Sequence, residues 1–281
     1  MKTDLYIQYD QFSGHLFHDV EMMIMAFAQA HSKKINKIFY VHNTSESEKI
    51  DSRVWDKVKG SKDKTNFFLK KLFGVNGFTK LKSETDDFEG IYIKRKTTKH
   101  GTKKGFRDKG INKAFATEVL KFPYVKWFNR LHSNSTIPDL GKIKILYPHR
   151  QTCRHRWLDD QSHNKIMELV EQFGGTTVGD LSDMSIEEQL ELYKNHNCLV
   201  GPHGNNLTGC AWMQSPSFTI EILPSATYPA KAYDYQCLSW CMGHKYQQIK
   251  CDRIGNEFSL QNLDMVGLER QLKLWAGLKY E

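Results

Sequence analysis

The 281 residues predict an α/β protein of two doubly wound halves, each a parallel sheet flanked by helices, joined near residue 140. Three observations carry this. Apolar strand-like runs alternate with helix-like runs at a period of about thirty residues, the pattern restarts at "GKIKILYPHR" (141–150), and a Gly-rich turn, "GPHGNN" (201–206), directly follows the strand-like "NCLV". Right-handed crossovers fold such a relay into a parallel sheet.

Taken in order, "LYIQY" (5–9) alternates like a strand and "DQFSG" reads as a turn. In residues 16–30, Leu16, Val20, Met23 and Phe27 recur at steps of three and four, which predicts an amphipathic helix against the sheet. "NKIFYVHN" reads as a buried strand and residues 51–74 as mostly helix. "FEGIYIKR" suggests a strand and "NKAFATEVLKF" a helix. After the restart at 141, residues 159–175 predict a helix with Ile166, Leu169, Val170 and Phe173 inward and a Gly stop. "TTVGDL" is a short strand, and the next helix opens on a capping box, Ser185 with Glu188 three places on. "NCLVG" reads as strand, "NNLTGCAWMQS" as helix and "SFTIEILP" as strand. The last amphipathic run, "LERQLKLWAGL", is expected to fold back across the first half.

Composition narrows the class. Apolar residues make up 40% of the chain and aromatics 12%, enough for a full core and ring-lined surfaces. No run approaches eighteen apolar residues and the first ten lack the pattern of a secretory signal, so a soluble chain is expected. Six cysteines, at 153, 198, 210, 237, 241 and 251, form no CxxC pair, which fits free thiols in the cytoplasm. The net charge of +8 favours anionic partners, and much of it is local to residues 94–109. That segment reads as a solvated loop, or as one that binds an acceptor or nucleic acid; it lacks closely spaced rings for base stacking.

The chemistry points to an anion. Ligands of a doubly wound sheet sit outside the carboxyl ends of its strands. After "NCLV", Gly201 and Gly204 allow close backbone approach, and amides at the next helix start suit a phosphate. Arg150 ends an earlier strand, with Arg154 and Arg156 close behind, and a guanidinium fork grips diphosphate without a metal. Glu221 interrupts an apolar strand, where a carboxylate needs hydrogen-bond partners unless it faces water. Around the first helix start, His15, His18, Asp19 and Glu21 gather. They admit three readings: metal ligation, a helix cap at Asp19, or a base that takes a proton from a hydroxyl nucleophile. There is no GxxxxGK[ST], no GxGxxG after the first strand, no GxSxG and no HExxH.

Four blocks, "LFHDVEMM", "HRQTCRHRWLDD", "SIEEQLELYKNHNCLVGPHGNNLTG", and "IEILP" followed by "YPAKAYDYQCLSWCMGHKYQQI", resemble in order the signature blocks of glycosyltransferase family 61. They run through residues 12–30 and 143–250. The resemblance implies an inverting, nucleotide-sugar-dependent transferase of GT-B-like architecture, with two Rossmann-like domains facing across a cleft. Residues 1–140 then form the acceptor side and 141–281 the donor-binding domain. It implies Arg150 and Arg154 as diphosphate grips, His203, Gly204, Asn205 and Asn206 as the donor turn, and Glu221 as holder of a ribose diol. Asp19 becomes the general base, with His18 its neighbour and His15 on the acceptor side. The family's turn usually carries Ala where Asn205 stands, so these contacts can differ. Most eukaryotic members have a membrane anchor, which this sequence does not show; the expectation is either that an anchor has been cut away or that this is a compact cytosolic form similar to small anchorless viral members, a xylosyltransferase among them.

The expectation is therefore transfer of a sugar, xylose the first guess, from a UDP-sugar to a hydroxyl of a glycan or glycoprotein acceptor, with no metal or cofactor required. The rivals are a non-catalytic glycan- or nucleic-acid-binding protein on the same scaffold, and a metal-dependent hydrolase built on His15 and His18.

Overall fold

The computed structural model describes residues 2–8, 16–42, 62–78, 80–83, 89–94, 124–132, 142–151, 157–224, 234–254 and 259–277. The chain divides into two units, Met1–Asn134 and Ser135–Glu281; the sequence reading set the junction at residue 140.

In the first unit, β1 (Lys2–Gln8), α1 (Leu16–Ala30), β2 (Lys34–His42), α2 (Lys62–Phe73), β3 (Lys80–Ser83), β4 (Gly90–Lys94) and α3 (Tyr124–His132) follow in turn. The sheet runs β3-β2-β1-β4 and every pairing is parallel. The strand order reverses beside β1, which makes the carboxyl ends of β1 and β4 a topological switch point. Asp19 lies in the first turn of α1, the helix that follows β1. α1 is not the amphipathic helix of the sequence reading. Phe17, Val20, Met22, Met23, Ile24, Ala26, Phe27 and Ala30 are all buried, as are Asp19 and Glu21. A helix apolar on nearly every side is a core helix, and Phe27 meets both Phe73 of α2 and Trp127 of α3. The helix expected over 112–122 and the basic segment beyond Lys94 lie outside the described residues.

The second unit holds β5 (Ile145–Pro148), α4 (Asp160–Gln172), β6 (Thr176–Val178), a 3-10 turn (Leu181–Asp183), α5 (Ile186–Lys194), β7 (Cys198–Pro202), a 3-10 helix (Asn205–Trp212), β8 (Phe218–Pro224), α6 (Asp234–Cys241), β9 (Lys245–Ile254), β10 (Ser259–Gln261) and α7 (Met265–Trp275). Its sheet order is β10-β9-β8-β7-β5-β6. All pairings are parallel except the β9–β10 edge, which is antiparallel. β6 lies on one side of β5 and β7 on the other, so the switch point falls between the carboxyl ends of β5 and β7.

Two apolar layers hold this sheet. On one face Ile145, Tyr147, Cys198, Val200, Ile220, Ile222, Ile249 and Cys251 pack against Ile166, Leu169 and Val170 of α4 and Leu268 and Leu272 of α7. The last helix docks on its own unit, where its apolar stripe completes the core beside α4 and β9. The other face is covered by α6 and the 3-10 helix, whose Leu207, Cys210, Ala211 and Trp212 are buried. The helix that the sequence predicts over this segment is wound as a 3-10 helix. The caps follow the sequence: the box at Ser185 and Glu188 closes, Asp159 caps α4, and Gly174 at φ 62° ends α4 with its amide bonded to the Glu171 carbonyl. Buried His244 accepts from the Ser217 amide through Nδ1 and donates to the Cys210 carbonyl through Nε2. Burial holds it neutral, its pKa brought down to about 4. Among the described residues no helix is long and apolar enough to cross a membrane.

Candidate active site

The carboxyl edge of the second sheet gathers most of the residues singled out by sequence. β5 is buried along its length and delivers His149 and Arg150 at its end, anchored by the His149 amide to the Val178 carbonyl of β6. β7 ends at Pro202; the His203 amide then bonds the Ile222 carbonyl of β8, and Gly204 leads into the 3-10 helix. The Asn206 side-chain amide donates to the Pro148 carbonyl at 3.3 Å, tying the β7 turn to the end of β5 across the switch point. From below, the Tyr193 hydroxyl of α5 donates to the Asn206 carbonyl at 2.5 Å.

Within this edge, three buried polar atoms have no hydrogen-bond partner among the described residues: His149 Nδ1, Arg150 Nε and Asn205 Oδ1. An unmet buried polar atom costs about 1–3 kcal/mol. These three lie close to the carboxyl ends of β5 and β7, beside the switch point. Arg150 Nε is a cationic donor, suited to phosphate oxygen. Asn205 Oδ1 is an acceptor for a hydroxyl or N–H. The His149 ring is edge-on to His163 at 5.0 Å, and the Tyr147 hydroxyl meets His163 Nδ1 at 3.1 Å. Burial lowers the pKa of both histidines, and His149 further lowers that of His163, so both rings are neutral at neutral pH.

Glu221 is wholly buried on β8, with one carboxylate oxygen accepting from His203 Nδ1 and the other from the Tyr246 hydroxyl. Each oxygen of this enclosed carboxylate therefore holds one protein donor. Its partners in this structure are the histidine of the turn and a tyrosine of β9. The His203 ring also meets Tyr235 edge-on at 5.2 Å.

In the first unit Asp19 is buried at 4% exposure near the carboxyl end of β1, and His18 is the residue before it in α1. His15 and Arg154 lie outside the described residues. Among the described residues no three His, Cys, Asp or Glu side chains are grouped to hold a metal ion.

The family model described as Glycosyltransferase 61 matches residues 13–220.

The chain belongs to the glycosyltransferase 61 family.

No curated protein matches it. The family match starts three residues before α1 and stops one residue short of Glu221. It therefore takes in Asp19, Arg150 and the His203–Asn206 turn. Membership makes the chain a glycosyltransferase, an enzyme with a sugar donor and a glycan acceptor. Sequence reasoning missed Tyr193, His163 and Tyr246 as neighbours of the residues it singled out in this glycosyltransferase. Tyr246 left one sequence signal, the polar run "YQQ" (246–248) in the part of β9 that pairs in parallel with β8.

Proposed function

We propose that the chain transfers a sugar from a nucleotide-sugar donor to a hydroxyl of a glycan, by direct displacement with inversion, and that UDP-xylose is the first donor to try. One observation carries this reading: three unmet buried polar atoms, His149 Nδ1, Arg150 Nε and Asn205 Oδ1, lie at the β5/β7 switch point of the second unit. A nucleoside diphosphate sugar offers anionic oxygens to the guanidinium and hydroxyls to the carbonyl-type acceptor. In a GT-B-like organisation the donor would belong to this unit and the acceptor to the first.

In this reading Arg150 and Arg154 hold the diphosphate, and the His203–Gly204–Asn205–Asn206 turn supplies the remaining contacts. Asp19 takes the acceptor proton, with His18 adjacent in α1 and His15 toward the acceptor. The acceptor oxygen bonds to the anomeric carbon as the bond from that carbon to the diphosphate oxygen breaks, and the electron pair leaves with the nucleotide. Contacts that tighten as charge gathers on that oxygen lower the barrier. Side-chain cations meet that charge, so the reading calls for no metal. Among the described residues, five free, buried cysteines, at 198, 210, 237, 241 and 251, fit action in a reducing compartment such as the cytoplasm.

The test is nucleotide release from a panel of UDP-, GDP- and ADP-sugars with glycan acceptors. Arg150→Ala should lower turnover roughly 10²- to 10³-fold. Undiminished turnover in Arg150→Ala removes the assigned role. A wild-type protein that binds donor and releases no nucleotide supports the non-catalytic alternative instead.

A further inference from the structure

Three polar side chains cross the face of the second sheet that carries α6 and the 3-10 helix. In the parallel register, Gly201 of β7 stands beside Glu221 of β8, and Thr219 of β8 stands beside Tyr246 of β9. Paired residues of parallel strands share a face and side chains alternate along each strand. Tyr246, Glu221 and His203 therefore form a diagonal, each two residues nearer the carboxyl edge than the one before. Gly201 puts no side chain beside Glu221 on β7, and the diagonal ends in the turn at the switch point.

The chemistry of the diagonal is directional. The Tyr246 hydroxyl donates to one oxygen of Glu221, and His203 Nδ1 donates to the other. Burial, then the charge of Glu221, push the Tyr246 hydroxyl pKa well up, so it remains a donor throughout the working pH range. With Nδ1 committed to Glu221, any contact between His203 and a donor is made through Nε2. A buried ionic group seldom improves on apolar packing for stability, so its place here fits orientation of the turn.

We infer that Tyr246 is a positioning residue for sugar transfer: its hydroxyl fixes Glu221, and Glu221 fixes the His203 imidazole at the donor turn. The inference rests on the donor reading above. The chain of contacts acts only through His203, and this separates it from a structural role. Removing the Tyr246 hydroxyl loosens the imidazole without removing any group that touches the donor, so it reduces turnover more than donor affinity.

The experiment measures kcat, donor KM and melting temperature for wild type, Tyr246→Phe, His203→Ala and the double variant. The readout is UDP release from UDP-xylose, or from whichever UDP-sugar the wild type turns over fastest. Tyr246→Phe is expected to lower kcat roughly 10- to 100-fold, with donor KM changed less than about 3-fold. In the His203→Ala background the same change is expected to alter kcat by less than about 2-fold. Glu221→Gln, which keeps the side-chain shape, should behave alike and serves if Tyr246→Phe folds poorly. Wild-type kcat in Tyr246→Phe, or an equal fold loss with and without His203, overturns the inference and leaves the donor reading standing. A wild type silent on every nucleotide sugar overturns both.

Discussion

Replacing Gly209 with alanine puts a methyl group 2.1 Å from two ring carbons of Tyr193 and 2.5 Å from a third. Ordinary contact begins near 3.4 Å, so the ring and the 3-10 helix must part by at least 1.3 Å. Tyr193 has no slack to give. It is 1% exposed, meets Trp212 edge-on at 5.3 Å, and donates through its hydroxyl to the Asn206 carbonyl at 2.5 Å. Overpacking of this kind costs about 1–3 kcal/mol, and the strained hydrogen bond adds about 1 kcal/mol. At about 2–4 °C per kcal/mol for a unit of this size, the melting temperature should fall by roughly 5–15 °C. The same displacement moves the Asn205–Asn206 turn, so the affinity for UDP should fall as well. Thermal melts and UDP titration calorimetry check both. A variant that melts within about 1 °C of the parent and binds UDP equally refutes the packing argument.

Asp19→Asn is expected to lower transfer to the acceptor by roughly 10²- to 10⁴-fold while leaving UDP affinity unchanged, since Asp19 belongs to the first unit; transfer at the parental rate ends its role as base. For pH, His244 is held near 4 in the fold against 6.5 unfolded. The unfolded chain therefore takes up the proton first, and stability is full above pH 6.5 and declines as pH falls toward 4, by about 3 kcal/mol from this group alone. His149, His163 and His196, also lowered, act in the same sense. Urea unfolding at pH 4, 5, 6 and 7 should show the slope, and His244→Gln should flatten part of it; a flat wild-type profile is the contrary result. Ser185→Ala opens the capping box of α5 and should cost about 1 kcal/mol with kcat unchanged; an unaltered melting temperature contradicts the capping geometry.

The sequence carried the relay of the second unit because its central strands are buried and α4 and α5 have local caps. β5, β7 and β8 read as apolar runs, and Ser185–Glu188 and Gly174 are signals within four residues of the helix end they control. Arg150 and the His203–Asn206 turn were legible for the same reason: they directly follow those strands. Longer-range arrangements were not. β3 is "KLKS", too polar and short to announce a strand, and becomes one by pairing with β2. Residues 205–212 follow a strand as a helix would, but no local signal sets 3-10 rather than α winding, or places Gly209 against the Tyr193 ring. α1 shows a periodic apolar stripe, but α2 and α3 pack on it as well, a fact set by tertiary structure. Glu221 was marked as needing partners, and those partners are 18 residues before it and 25 after. No local pattern names them.

The central claim is that a nucleotide-sugar donor binds at the carboxyl edge between β5 and β7, and hydrogen–deuterium exchange with and without saturating UDP tests it most directly. Bound ligand slows local opening and covers exposed amides. Slower exchange is expected in peptides covering 145–151 and 199–209, and this slowing should be lost in Arg150→Ala. Protection confined to residues 1–134, or none in 145–151 and 199–209 at a UDP concentration that measurably binds, would contradict it.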